Sequence, residues 1–300
     1  MPGGRLTVVS GTTVTIPTRT LVLGVARRDG TIRADDVYRV ADASGQSAEQ
    51  VRSCLRRLVR EGLYERREGS GRTAIYSPTA AGNATLGARL RRVRLSFAQD
   101  AEGRGWDRHW RLAAFAVPEA NRASRDALRD RLRELGGAPV QGGLYVSPHP
   151  WDADVRVFAH QLGVADNLTL ASTDELEVGG ERDPRKLAAM LWPIDELATA
   201  YEKFIESYRH LPAELEALRL QRGRVSDTEL FPRMLAMGVD NDELSLVDPF
   251  LPPELLPRPW AGRAARELVL RCRKLAHLLR ESGTGTGLFD NYDAYVLDIN

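Results

Sequence analysis

GQSAEQVRSCLRRLVREGLYERREGSGRTAIY, residues 45–76, reads as a helix, a glycine stop and a short basic hairpin. Ala48, Val51, Leu55 and Leu58 recur at helical spacing and predict one apolar stripe, which leaves Glu49, Gln50, Arg52, Ser53, Arg56, Arg57 and Arg60 for the other faces. Gly62 ends the helix, Leu63 and Tyr64 open a strand, Gly69-Ser70-Gly71 make a turn, and residues 73–77 return as a second strand. Upstream, residues 18–27 and 33–40 are expected to be helical, with the turn before the third helix at residues 42–45. Three helices followed by a hairpin describe a winged helix-turn-helix.

That arrangement gives the polar side chains a task. Arg and Gln near the start of a helix that fits the major groove can form paired hydrogen bonds with guanine or adenine edges. Gln46, Gln50, Arg52, Ser53 and Arg56 are the expected reading face, Ser47 and Arg57 are expected DNA contacts beside it, and Arg66, Arg67 and Arg72 flank the hairpin where long cations reach phosphates. A helix alone with an Arg-rich face is ordinarily just solvated. The attached hairpin is what turns the reading toward double-stranded DNA.

The whole chain carries a net charge of +1, but unevenly. Residues 1–96 hold 17 Lys plus Arg against 8 Asp plus Glu, a net of +9, and the remainder holds 25 against 33, a net of −8. Three of the 42 cations are Lys, so Arg richness partly reflects composition bias, yet such a bias does not separate charges along the chain. Sequence-independent polyanion binding is therefore expected in the first third. With 300 residues and 43% apolar content, two or three domains are expected. No run of 18 apolar residues occurs, and the opening MPGGRLTVVSGTTVTIP is too polar for a signal peptide, so no membrane association and a cytoplasmic location are expected. Cys54 and Cys272 lack metal-ligand spacing and are read as reduced thiols, Cys54 as a buried structural one.

Residues 80–97 continue as a helix with Leu86, Leu90, Val93 and Phe97 on one stripe. The middle third follows with a strand at 110–117, an Arg-rich helix at 121–135 capped by Asn121, a hairpin around Gly142-Gly143, a helix at 152–162 and a strand at 167–171. The order βαββαβ is that of a ferredoxin-like domain. The last third is helical at 194–208, 213–220 and 261–281, and the five prolines of residues 248–259 predict a rigid packed loop between helices. The expected class is α+β, divided as a winged helix-turn-helix (1–80), a linker helix (81–105), a ferredoxin-like domain (106–182), a C-terminal helical domain (183–282) and a flexible tail (283–300).

Three stretches in this order resemble the PaaX family of repressors of phenylacetic acid degradation: QVRSCLRRLVREGLYERREGSGRTAIYSPTAAG, then WDRHWRLAAFAVPEANRASRDALRDRLRELG with GGLYVSP, then DPFLPPELLPRPWAGRAARELV. The resemblance implies a Cas2-like central domain and a DNA-binding repressor that responds to a small-molecule effector. Two departures stand out. Gly136-Gly137-Ala138 and Tyr145 replace the family's usual Gly-Phe-Gly and Trp, and RMLAMGVDNDELSLVDPFLP keeps only Arg233 where the family has a His and paired Arg. Cations there would suit an acidic CoA thioester, so the departure predicts an effector other than phenylacetyl-CoA and less anionic. Trp192, Tyr201, Tyr208, Arg233 and Trp260 are its candidate lining, against the ordinary reading of aromatics at helical spacing as core.

No catalytic residues are predicted. His109, His149, His160, His210 and His277 are scattered, and the chain has no HExxH, GxSxG or GxxxxGK(S/T) motif. A metal-dependent nuclease of the Cas2 type needs acidic ligands at the end of its first strand, and WRLAAFAVPE supplies none inside that strand. No cofactor or metal is expected. The combined reading is a homodimeric regulator, most simply a repressor, on an inverted-repeat operator with half-sites about 34 Å apart or a multiple of that. The alternative is a winged-helix module that binds a protein or RNA without operator specificity.

Overall fold

The computed structural model describes residues 17–27, 29–83, 97–101, 105–220 and 227–279, with only the helical backbone for 227–233. Packing divides the chain into two compact units of non-contiguous segments: 1–97 with 202–243 and 263–300, and 98–201 with 244–262. The expected linker helix falls mostly, and the tail at 283–300 wholly, outside the described residues.

In the first unit, helices α1 (Thr18–Gly24), α2 (Ala34–Ala43) and α3 (Ala48–Arg60) precede a hairpin of β2 (Tyr64–Glu68) and β3 (Ile75–Pro78). A two-residue strand, β1 (Ile32–Arg33), joins the hairpin to give an antiparallel sheet in the order β1-β3-β2. Sequence patterning had not foreseen β1, because two residues carry no period. Leu21, Val22, Val25, Ile32, Val37, Val40, Val51, Leu55 and Leu58 fill the core. One detail of the stripe changes: Ala48 is exposed, and Cys54 takes a buried place beside Leu55. Between the strands, residues 71–73 form a 3₁₀ turn, so β3 starts two residues later than expected.

The hairpin is tied back to the end of α3. Thr79 Oγ1 donates to the carbonyls of Gly62 (2.5 Å) and Leu63 (3.2 Å), and Gly82 N donates to Thr79 Oγ1 (3.1 Å). The rest of the first unit comes from the end of α7 (Ile194–Tyr208), then α8 (Leu211–Leu220), α9 (Asp227–Val247) and α10 (Ala261–Leu279), labels that count the helices of both units in chain order. Leu235 of α9 packs on Gly24 of α1, at 3.4 Å from where a β-carbon would stand. Tyr208 donates to Asp240 (2.6 Å), whose carboxyl burial pushes above the usual carboxylate range.

The second unit is built on an antiparallel sheet of β4 (Trp110–Phe115), β5 (Ala138–Gln141), β6 (Leu144–Ser147) and β7 (Leu168–Thr173), in the order β5-β6-β4-β7. With α4 (Arg122–Glu134) after β4 and α5 (Asp152–Gln161) after β6, the order is the expected βαββαβ. Alternation along the strands serves two cores. Ala113 and Tyr145 face α4 and α5, with Leu128, Leu132, Trp151 and Val155. Trp110 and Val146 face the other side, where α6 (Pro184–Leu191) and the proline-rich loop contribute Leu187, Trp192, Leu251 and Leu255.

Two helices had been missed. The start of α6 was legible as Asp-Pro: Asp183 caps the backbone N of Arg185 and Lys186, and Pro184 follows it. Helix α9 contains Pro232 and Gly238, which weaken any helical reading of residues 227–247. Asn121 precedes α4 but makes no side-chain cap, because a 3₁₀ turn at 119–121 leads into the helix instead.

The proline-rich loop is strapped as predicted. Asp248 accepts from Tyr201 Oη (2.6 Å) and Phe250 N (2.7 Å), and Phe250 O accepts from Gln99 Nε2 (3.0 Å). These bonds hold Phe250 at φ +52°, an uncommon backbone for a bulky residue.

Cys54 and Cys272 are both buried as free thiols, and burial raises both pKa values, Cys272 to about 12. Because the thiolate is the reactive form, iodoacetamide at mildly alkaline pH is expected to modify neither in the native protein and both in denaturant. Fast native labelling of Cys54, followed by mass spectrometry, would show that α3 opens.

Candidate nucleic-acid interface

The start of α3 is set by a reciprocal cap. Ser47 Oγ accepts from Gln50 N (3.2 Å) and Gln50 Oε1 accepts from Ser47 N (2.7 Å), which satisfies two of the backbone donors that a helix start leaves unpaired. Gln50 thus spends its carbonyl oxygen on the cap and serves position more than base reading. Ser47→Ala is expected to lower stability by about 1 kcal/mol, read from the urea midpoint. Gln46 departs from the expected reading face: it is 6% exposed, because the turn from α2 folds it inward as Gln46 N reaches Ala41 O.

The remaining predicted residues share one exposed surface. Arg52, Ser53, Arg56 and Arg57 are exposed, and Ser53, Arg56, Arg57 and Arg60 surround a shallow concavity. A neighbouring concavity is lined by Arg19, Gln50, Ser53 and Arg57 among others. Arg19, which sequence patterning had not singled out, pairs with Glu61 (2.6 Å). Hollows edged by cations suit phosphate oxygens.

On the hairpin, Arg66, Arg67 and Arg72 are exposed. The Arg72 guanidinium lies 5.3 Å from the ring centroid of Tyr38 on α2, which orients it, and Arg67 is 3.4 Å from Glu65. Glu49, which patterning places only on an outer face of the helix, stands among the cations of α3. Its carboxylate meets Arg52 (2.8 Å) and Arg56 (3.0 Å), and the signal available was an acid three and seven residues before two arginines.

Of the candidate effector residues, Tyr201 and Trp260 are in ring contact, with centroids 5.9 Å apart. Trp192 is buried and donates to Gly136 O (3.1 Å), Tyr201 is buried against Asp248 and Trp260, and Tyr208 is buried against Phe204 and Asp240. The aromatic spacing marks packing, as aromatics at helical period usually do. Arg233 lies on α9, and its side chain is outside the described part. Among the described residues, no group of three or more His, Cys, Asp or Glu side chains is placed to hold a metal ion, and no helix is long and apolar enough to cross a membrane.

The geometry defines an α+β protein in which a cation-bearing helix and hairpin accompany a βαββαβ sheet and further helices. Residues 103–188 match the PaaX protein central Cas2-like domain, and residues 192–284 match the PaaX-like protein C-terminal domain. The chain belongs to the PaaX family. It is 28% identical over 249 residues to the transcriptional repressor PaaX of Escherichia coli, covering 82% of this chain and 74% of that protein. A solved structure, uncharacterized protein Rv0674 from Mycobacterium tuberculosis, superposes with a TM-score of 0.52 at 18% identity, covering 87% of this chain and 94% of the other, which is a likeness of fold.

Proposed function

We propose that the protein is a DNA-binding transcriptional regulator, a repressor like its relative in Escherichia coli, whose N-terminal module is a winged helix-turn-helix. The observation that carries the reading is the exposed Arg52–Ser53–Arg56–Arg57 face of α3 beside a hairpin that presents Arg66, Arg67 and Arg72. Helix side chains would read base edges in the major groove, and the hairpin would hold phosphates. The repressor relative supports a role without catalysis.

The finer reading is a cytoplasmic homodimer on an inverted repeat, organised as a DNA-binding module (1–80), a connecting helix (81–105), the Cas2-like domain (106–182) and a helical C-terminal domain (183–282). A two-fold pair of reading helices would meet successive major grooves and multiply a modest single-site affinity. Release by a small molecule less anionic than a CoA thioester rests on the sequence RMLAMGVDNDELSLVDPFLP, where Arg233 is the sole cation. Such an effector must bind the DNA-incompetent arrangement more tightly than the competent one.

The test is fluorescence anisotropy of the full chain on the duplex upstream of its own gene against scrambled duplex at two salt concentrations. A preference of about 10³-fold or more supports the regulator. Equal binding to both duplexes, or none, defeats it, and salt-insensitive binding to a protein would favour an interaction module. On the preferred duplex, Arg52→Ala or Arg56→Ala is expected to cost about 1–3 kcal/mol. An equal cost on scrambled DNA would assign that residue to phosphate.

A further inference from the structure

We infer that Glu49 is a specificity-determining residue of α3, and that with Arg52 or Arg56 it reads the two bases of a C·G pair. The inference rests on the DNA-binding reading above and deepens it. Glu49 stands at the second position of the helix after the Ser47 cap. Its carboxylate is divided between two cations: Oε2 lies 2.8 Å from Arg52 Nη2, and Oε1 lies 3.0 Å from Arg56 Nη2. Spacings of three and seven residues place all three side chains on one line of the exposed face. Each is more than half exposed, at 63%, 57% and 72% respectively.

Exposed ion pairs of this kind add little to stability, so the arrangement is better judged by what it does on DNA. A helix built only for affinity would present Arg52 and Arg56 unopposed to the polyanion. Glu49 opposes them, which lowers affinity for every sequence through charge. The carboxylate is acceptor-only, so in a major groove it is rewarded only where a base offers an exocyclic amine. Cytosine N4–H₂ has an acceptor, guanine O6, on one side only, whereas adenine N6–H₂ lies between its own N7 and thymine O4, two acceptors that repel a carboxylate. The guanine paired with that cytosine presents O6 and N7, both acceptors, which suit a guanidinium. In the free protein each guanidinium is held to Glu49 through one terminal nitrogen, so an acceptor and a donor already stand side by side, as the edge of a C·G pair requires.

The experiment is selection from a duplex library with a randomised core, using the full-length protein and its Glu49→Ala and Glu49→Gln variants, with thermal melts of each. The wild type is expected to enrich a fixed C·G pair in each half-site. Both variants should lose about tenfold of the discrimination at that pair and bind random duplex more tightly, with melting unchanged. If the wild type selects a consensus and the variants select the same one with equal discrimination, the inference is overturned and the DNA-binding reading stands. A uniform loss of affinity across sequences in the variants overturns it too, since Glu49 would then only position the arginines. If the wild type selects nothing, the regulator reading falls and takes the inference with it.

Discussion

Trp110→Ala is expected to lower the stability of the protein by about 3–5 kcal/mol. Trp110 is 1% exposed on β4, an inner strand of the four-stranded sheet. Its ring packs edge-on to Trp106 at 4.7 Å and stacks with Trp192 at 6.2 Å, so truncation removes a large apolar surface and two ring contacts together. The space cannot be closed cheaply, because Val146, Leu187 and Leu255 are held in the same core by the sheet, α6 and the strapped loop. All five tryptophans lie within 98–201 or 244–262, so their fluorescence follows this unit during a urea titration. A midpoint within experimental error of the wild type would mean that the Trp110 core is not part of the cooperative structure.

Leu58→Ala is expected to cost about 2–5 kcal/mol by the same mechanism, with a different functional signature. Leu58 is fully buried on α3, one turn from Cys54 and Leu55, and its carbonyl accepts from Leu63 N (3.0 Å) where the helix gives way to the hairpin. The substitution weakens the support of the exposed face of α3 and leaves Arg52, Ser53 and Arg56 on it. Far-UV circular dichroism is expected to show a lowered midpoint. At temperatures where the variant stays folded, its ratio of operator to random binding should match the wild type. Arg56→Ala should do the reverse, with little change in midpoint and a lowered ratio. A Leu58→Ala protein that is folded but no longer discriminates would place sequence reading in the packing of α3 and outside its exposed arginines.

Much of the N-terminal module was legible because its signals are local. Val51, Leu55 and Leu58 predict the buried side of the third helix, and Gly62 predicts its stop, where the backbone indeed takes φ +69°. The βαββαβ order of the middle third was legible for the same reason, since strand and helix periods differ within windows of a few residues.

The positions open to two readings in sequence depend on partners distant along the chain. An apolar aromatic pattern on 192–208 is compatible with a ligand wall or a core, and only Gly136 O and Asp248, both more than 40 residues away, settle Trp192 and Tyr201 as packed. Gln46 looks polar and available until the turn from α2 buries it. Gly82 offers the sharpest contrast. In sequence it is one glycine in a small-residue run, PTAAG; in the folded chain a β-carbon there would stand 2.0 Å from the carbonyl oxygen of Leu63, against which Thr79 also folds.

Sequence alone therefore determined most of the elements and their order, though not β1, α6 or α9, together with the basic character of the first third and the family, because propensity, glycine stops, charge and motif order are written in neighbouring residues. Tertiary structure alone decided which polar side chains face solvent, that residues 202–243 and 263–279 pack into one unit with the N-terminal module, and that one carboxylate spans Arg52 and Arg56. Burial and ion pairing are properties of surfaces brought together in space, and a linear pattern carries no record of which surfaces those are.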